Sequence, residues 1–430
     1  MGCGYSKVAP KASCHIQDLD SRKLQKIARA IGKYFDPEAL LESIANGSIA
    51  LVRGRWVVAH FEAGGKLMRR QDLPPEAFFT VDELRKLVAA LGDDWGLLFV
   101  AISYRWLTAI HPDPDAFHLN IVAKVAKLYL KSEEDMGIFS CSPLVDAFER
   151  AGYSRDEADF GLMWDFMSLH QKPVNGGERT PEEAALFKLG LGALPIWYGH
   201  AETVMWMQPE LPAGFGERMA ELGLAETYEG SGWCFVESSV SAGVKHGDRR
   251  LNLSLRTEIL YIDRAYGGAY ASNICLNRVC SANRQPPMDP DWVANELRTT
   301  KKFTGKGDVP VVEELYRDYF EGVASTATSL NFSELKWGDA EAAKLASVLP
   351  RYVSLTSLDM SQNGIGSDGA QSLSEALKTN SRLLELEYAA SHPPYSARFC
   401  TSVSTLTFAF NSCWQLAVKF SRRRGRQAPF

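Results

Sequence analysis

A 28-residue period in the carboxyl-terminal third constrains this chain more than any other feature. Leu330, Leu358 and Leu386 are 28 residues apart, as are Leu335 and Asn363, Ala342 and Ala370, Leu345 and Leu373, and Leu349 and Leu377. Self-similarity at that spacing means one supersecondary unit used again, because a unit too small to bury its apolar face alone stacks on its copy. Two units and the start of a third fill residues 326–387. That is few for a free-standing solenoid, so the segment is expected to lean on the preceding chain or to offer a small concave binding face. A plain pair of amphipathic helices is the alternative that the spacing leaves open.

The preceding region, residues 96–325, alternates apolar runs with capped helical stretches. Leu97 to Ile102 is unbroken apolar sequence, as in a strand covered on both faces, and it ends in Ser103-Tyr104-Arg105-Trp106. Asp113-Pro114 then opens a helix with Phe117, Ile121, Val125 and Leu128 toward the core. Phe160 to Trp164 is a second run, ending at Asp165. A polar loop from His170 to Arg179 follows, and Thr180-Pro181-Glu182-Glu183 caps a helix expected to run to about Leu194. Thr203 to Met207 is a third strand, Leu251 to Leu255 alternates like an edge strand, and Asp289-Pro290 begins a later helix. Such β–α units predict an α/β fold with a doubly wound parallel sheet. Residues 15–95 form a small α+β lead-in. There Ser48 to Phe61, broken by Arg53-Gly54-Arg55, reads as a hairpin, and Thr80 to Glu83 is a capping box before Leu84, Leu87, Val88 and Leu91.

Ligand sites in wound parallel sheets form beyond the carboxyl ends of the strands. Three segments are predicted to meet there: Ser103/Tyr104/Arg105, Asp165/Ser168, and Ser231-Gly232-Trp233-Cys234-Phe235-Val236-Glu237. In the last, Ser231 is placed to cap a helix, and Trp233 and Glu237 are four residues apart, hence on one side of it. A flat aromatic beside a carboxylate suits a ligand with a ring and a centre that becomes cationic. The bland reading of the same heptapeptide is a capped helix with a core tryptophan and a solvated glutamate.

These residues resemble known families. Phe99 to Arg105 is similar to the first strand of TIR domains, and Ser231-x-Trp233-Cys234-x-x-Glu237 to the S-x-W-C-x-x-E signature of plant-type TIR domains. Ser103-Tyr104-Arg105-Trp106, the Asp165–Gln171 pair with Leu169, and Trp233 to Glu237 resemble the three motifs of the related fungal heterokaryon-incompatibility (HET) domains. Ser168 stands where that family has cysteine, and Val236 where it often has glutamine. Leu355 to Ile365 fits L-x-x-L-x-L-x-x-N-x-I, and with the 28-residue period it resembles the ribonuclease-inhibitor class of leucine-rich repeat.

The resemblance implies a flavodoxin-like (TIR/HET-like) sheet followed by a short α/β leucine-rich-repeat segment. It also implies cleavage of the nicotinamide–ribose bond of NAD, with NAD or a related nucleotide as substrate and no further cofactor or metal. Glu237 would then be the catalytic acid, with Ser103, Tyr104, Arg105, Trp106, Asp165, Ser168 and Trp233 around the substrate, and Arg105 meeting the diphosphate. The loop from His170 to Thr180 would cover the site. A protein partner is expected at the repeats, and the chain is expected to act when clustered with further copies. The competing reading is a catalytically inactive adaptor of the same fold, since fold does not settle activity.

The chain begins Met1-Gly2-Cys3-Gly4-Tyr5-Ser6, which fits the N-myristoylation pattern at Gly2, with Cys3 placed for palmitoylation. Two acyl chains turn marginal membrane binding into residence, so the cytoplasmic face of a membrane is the expected location for residues 1–14. The first twenty residues hold no apolar run, so no secretory signal is expected. Eight scattered cysteines lack metal or disulfide-framework spacing, and reduced thiols are expected. A net charge of −5 gives no overall pull toward nucleic acid. Residues 388–430 contain no acidic residue after Glu387 and carry Arg398, Lys419, Arg422, Arg423, Arg424 and Arg426. The uncharged run Phe399 to Val418 within them is diluted by polar residues, which favours a loosely ordered basic tail over a membrane span.

Overall fold

A computed structural model describes residues 32–130, 143–173, 176–257, 273–305, 307–380 and 382–387. Gly2, Cys3, residues 15–31 of the lead-in and the basic tail lie outside the described residues. Among those described, no helix is long and apolar enough to cross a membrane.

The unbroken apolar run at Leu97 becomes the central strand. Strands β1 (Val52–Arg53), β2 (Phe99–Tyr104), β3 (Gly161–Met163), β4 (Val204–Gln208) and β5 (Arg250–Asn252) form one sheet in the order β1-β3-β2-β4-β5. β2 through β5 are parallel, and β1 runs antiparallel to β3 at one edge. All residues of β2 and β4 are buried, which explains why their sequences do not alternate. The fold is therefore α/β with a mixed, mostly parallel sheet.

The helices follow in chain order: α1 (Pro37–Ala45), α2 (Gly54–Glu62), α3 (Val81–Leu91), α4 (Phe117–Tyr129), α5 (Pro143–Arg150), the single turn α6 (Asp165–Ser168) and α7 (Pro181–Gly199). Then come α8 (Phe215–Glu221), α9 (Gly232–Val244), α10 (Asn273–Cys280), α11 (Pro290–Thr299), α12 (Asp308–Thr326), α13 (Asp339–Val348) and α14 (Ser367–Leu377). The capping boxes read from Thr80/Glu83 and Thr180/Glu183 both form. Asp113 reaches further than a local cap, accepting from the amides of His118 (3.1 Å) and Leu119 (2.8 Å) at the start of α4.

Three local expectations change. The hairpin expected over Ser48–Phe61 is instead β1 followed directly by α2. Gly54 ends the strand by donating to the Phe160 carbonyl at 2.8 Å, in a space that a Cβ would lose to the Phe160 ring. Arg53 turns to Glu83 (2.6 Å) while the Arg55 amide donates to Asp159 (2.9 Å), so two tertiary anchors split the arginine pair. Helix α7 continues past Leu194 to Gly199 through Pro195, because its last turn buries Trp197 and Tyr198. The Leu251–Leu255 stretch supplies the edge strand β5 only as far as Asn252, then turns as a 3-10 segment.

The 28-residue period becomes a translation in space. β6 (Ser329–Asn331), β7 (Ser357–Asp359) and β8 (Glu385–Glu387) are parallel, and Leu330, Leu358 and Leu386 sit opposite one another. α13 and α14 pack side by side behind them. Asn363, 2% exposed, stitches the first turn: its Oδ1 accepts from Leu335 N (3.0 Å) and Trp337 N (3.1 Å), and its Nδ2 donates to Phe332 O (2.7 Å) and Met360 O (3.0 Å). The array does lean on the sheet domain. Arg284, buried, donates to Ala242 O (2.9 Å) and Gly243 O (2.8 Å) at the end of α9 and to Asn331 O (2.8 Å) in β6. Its charge thus meets orphan carbonyls at a helix C-terminus, the end that favours a cation.

Candidate functional site

A cavity of about 560 Å³ opens at the carboxyl ends of β2 and β3, bounded by α7, the start of α9, residues 302–305, Asp308 and Val311. Helix α9 brings Glu237 to it. Ser231 occupies the N-cap position, as its sequence suggests, yet its side chain makes no capping bond. The opening of α9 is held by tertiary pairing: Gly232 N donates to Lys302 O (3.0 Å) and Lys302 N to Gly230 O (2.9 Å). Gly232 is required here, because a Cβ would run into the Phe303 ring.

Glu237 shows part of its surface to the cavity, while its carboxyl is enclosed by protein. A short hydrogen bond from Ser103 Oγ reaches its Oε2, and Tyr228 donates in turn to Ser103 Oγ at 2.5 Å. Burial pushes the Glu237 carboxyl up to about 8; the Ser103 bond works against that, and the nearby Asp165 charge adds to it. At neutral pH Glu237 is therefore mainly a neutral acid, which ionises readily when a cation arrives beside it.

Asp165 has a different task. Its carboxylate accepts from Tyr104 Oη (2.8 Å), Trp106 Nε1 (2.9 Å) and its neighbour's amide, Phe166 N (2.6 Å). Burial holds this acid above the usual carboxylate range, opposed by those hydrogen bonds. Across the lining, Trp233 donates its indole N–H to Asp308 Oδ2 at 2.8 Å. Both cavity tryptophans are thus pinned by a carboxylate, which fixes their ring planes before any ligand enters.

Of the residues chosen from sequence, Tyr104, Arg105, Trp106, Asp165, Trp233 and Glu237 line the one cavity. Ser103 and Ser168 do not; both are fully buried beneath it. Ser103 orients Glu237, whereas Ser168 Oγ accepts from Trp164 N (3.0 Å) and closes the turn α6. Ser168 is therefore a buried turn residue beneath the cavity. Arg105 lines the cavity with its fork already engaged by main-chain carbonyls of Pro209, Glu226 (2.5 Å) and Ala225 (3.3 Å). In the expected cover loop, residues 174–175 lie outside the described residues, while Lys172, Pro173, Gly176 and Arg179 line the cavity.

Sequence reasoning missed Tyr198, Tyr228, Asp308 and Phe303. Tyr198 lines the cavity beside Glu237 and donates to Ile102 O at 3.0 Å. None of the four carries a local motif, and each arrives through tertiary packing. Comparison of the chain with protein-family models, with curated proteins and with solved structures gives no match.

Proposed function

We propose that this chain is a membrane-tethered signalling hydrolase that cleaves NAD at the nicotinamide–ribose bond. In this reading the parallel strand order β3-β2-β4-β5 belongs to a flavodoxin-like, TIR/HET-like domain, and residues 326–387 are leucine-rich repeats that bind a protein partner. The observation that carries it is Glu237: one enclosed acid, oriented by Ser103, in a cavity with three fixed aromatic residues, Tyr104, Trp106 and Trp233.

The chemistry asks little else of the protein. The C–N glycosidic bond breaks heterolytically, nicotinamide leaves as a neutral base with the bonding pair, and positive charge develops on the ribose. Water adds to that carbon and loses a proton, giving ADP-ribose. The pyridinium ring of bound NAD draws Glu237 into its ionised form, and the carboxylate then stabilises the developing sugar cation more than the ground state. Tyr104, Trp106 or Trp233 offers a face for the leaving ring.

The test is nicotinamide release from NAD by the purified full chain, measured by chromatography, with and without clustering. Glu237→Gln is expected to lower turnover by about a hundredfold or more; equal turnover would remove Glu237 from the mechanism. The engaged fork of Arg105 favours a second reading, an inactive adaptor, since the diphosphate contact expected of that residue is spent on main-chain carbonyls. That reading predicts no nicotinamide release in any clustered state and partner recovery that survives Glu237→Ala. The tether is assigned to acylated Gly2 and Cys3, and Gly2→Ala is expected to move the chain from the membrane to the soluble fraction of a cell lysate.

A further inference from the structure

We propose that Arg179 receives the phosphate groups of the dinucleotide, in place of Arg105; this rests on the reading of the cavity as an NAD site. Arg179 lies where the loop after β3 meets the start of α7, and both it and Phe187 line the cavity. Its guanidinium carbon sits 3.5 Å from the centre of the Phe187 ring, and its Nε donates to His170 O at 2.6 Å. The ring and that one bond fix the plane of the group. Its two terminal nitrogens have no protein hydrogen bond among the described residues. A planar fork held in place with free terminal N–H groups is the arrangement that grips a phosphate through two parallel bonds. Because the side chain is already ordered, little rotamer entropy is lost on binding.

The carboxylates near Arg179 are otherwise engaged. Glu178 pairs with Lys172 (2.8 Å), while Glu183 accepts from Thr180 N (3.0 Å) and Gln71 Nε2 (3.1 Å). Elsewhere in the cavity each acid also has its donor: Ser103 for Glu237, Tyr104 and Trp106 for Asp165, Trp233 for Asp308. The lining therefore combines aromatic faces and acids that already have their donors with two cations, Arg179 and the exposed Lys302. A ligand that carries a cationic ring and ribose together with a diphosphate matches that set of groups. Adenosine or free nicotinamide matches only part of it.

The test is isothermal titration of the full chain with two probes, ADP-ribose and nicotinamide riboside; the second carries ring and ribose without phosphate. The titrations use the Glu237→Gln background, where no turnover disturbs the heats. Adding Arg179→Gln is expected to weaken ADP-ribose binding about tenfold or more and to leave nicotinamide riboside unchanged. Arg179→Lys, which keeps the charge and loses the fork, is expected to recover part of the loss. Unchanged ADP-ribose affinity in Arg179→Gln overturns the assignment. Equal weakening of both probes does so too, since it would mean a merely structural role, as does absence of ADP-ribose binding in the parent. Failure of the hydrolase reading looks different: ADP-ribose binds through Arg179, and the native chain releases no nicotinamide from NAD.

Discussion

Replacing Glu237 by glutamine probes the electrostatics of the cavity without assuming any substrate. In the folded chain burial pushes this carboxyl up to about 8. In the unfolded chain it titrates at the ordinary glutamate value of roughly 4.3. Between those values the folded state keeps a proton that the unfolded state has lost. Stability associated with this group is thus fully present below the unfolded value and is lost as pH rises through the folded one. The slope for one such group is at most about 1.4 kcal/mol per pH unit. Partial exposure of the residue to the cavity lowers it, so from pH 5 to 8 the loss is expected at about 2–4 kcal/mol. Glutamine takes up no proton and lacks this slope. Urea denaturation of both chains at pH 5, 6, 7 and 8 measures it: the stability of Glu237→Gln minus that of the native chain should grow with pH. Asp159, also pushed up by burial, to about 7, is present in both chains and cancels. A difference that stays constant over the range would refute the enclosed, proton-holding acid, whatever the chain does with NAD.

Three further outcomes follow from the same geometry. Ser103→Ala removes the donor that favours the Glu237 carboxylate, so the pH at which nicotinamide release is half-maximal should move up by about one unit, read from rates between pH 6 and 10. Gly232→Ala forces its new methyl into Phe303 and should cost about 1–3 kcal/mol in chemical denaturation, with Phe303→Leu restoring part of it in the double variant; strictly additive losses would contradict the clash. Asn363→Ala strips the acceptor from the buried amides of Leu335 and Trp337 and should cost about 2–4 kcal/mol, whereas Asn380→Ala should cost less, because the amides its Oδ1 accepts, Arg382 N (2.8 Å) and Leu383 N (2.9 Å), are exposed or partly buried and its carbonyl bonds are longer, 3.4 and 3.5 Å.

Elements whose cause is local were legible. A capping box such as Thr180/Glu183 closes within four residues and forms whatever surrounds it. The six-residue strand β2 follows from apolar side chains that need cover on both faces. The 28-residue period specifies its own register, because each leucine needs an equivalent leucine beside it. Sequence likewise brought Tyr104, Trp106, Asp165, Trp233 and Glu237 to one edge of a sheet, since strand ends and the first turns of helices are local properties. Where distant segments compete for the same polar group, local rules fail. Ser103 and Ser168 look alike in sequence, one orienting Glu237 and the other closing a turn.

By itself, then, the sequence determined the periodicities: which stretches are strands or helices, how the repeat is phased, and which chemical groups stand at strand ends. Tertiary structure alone decided how those groups are occupied. It spent the Arg105 fork on three carbonyls, set Arg179 over the Phe187 ring with no hydrogen bond to its terminal nitrogens among the described residues, and put a hydroxyl against the Glu237 carboxyl. The physical reason is that a hydrogen bond or a charge is set by whatever lies within about 3 Å in space, and for these side chains the nearest partner is up to 134 residues away along the chain.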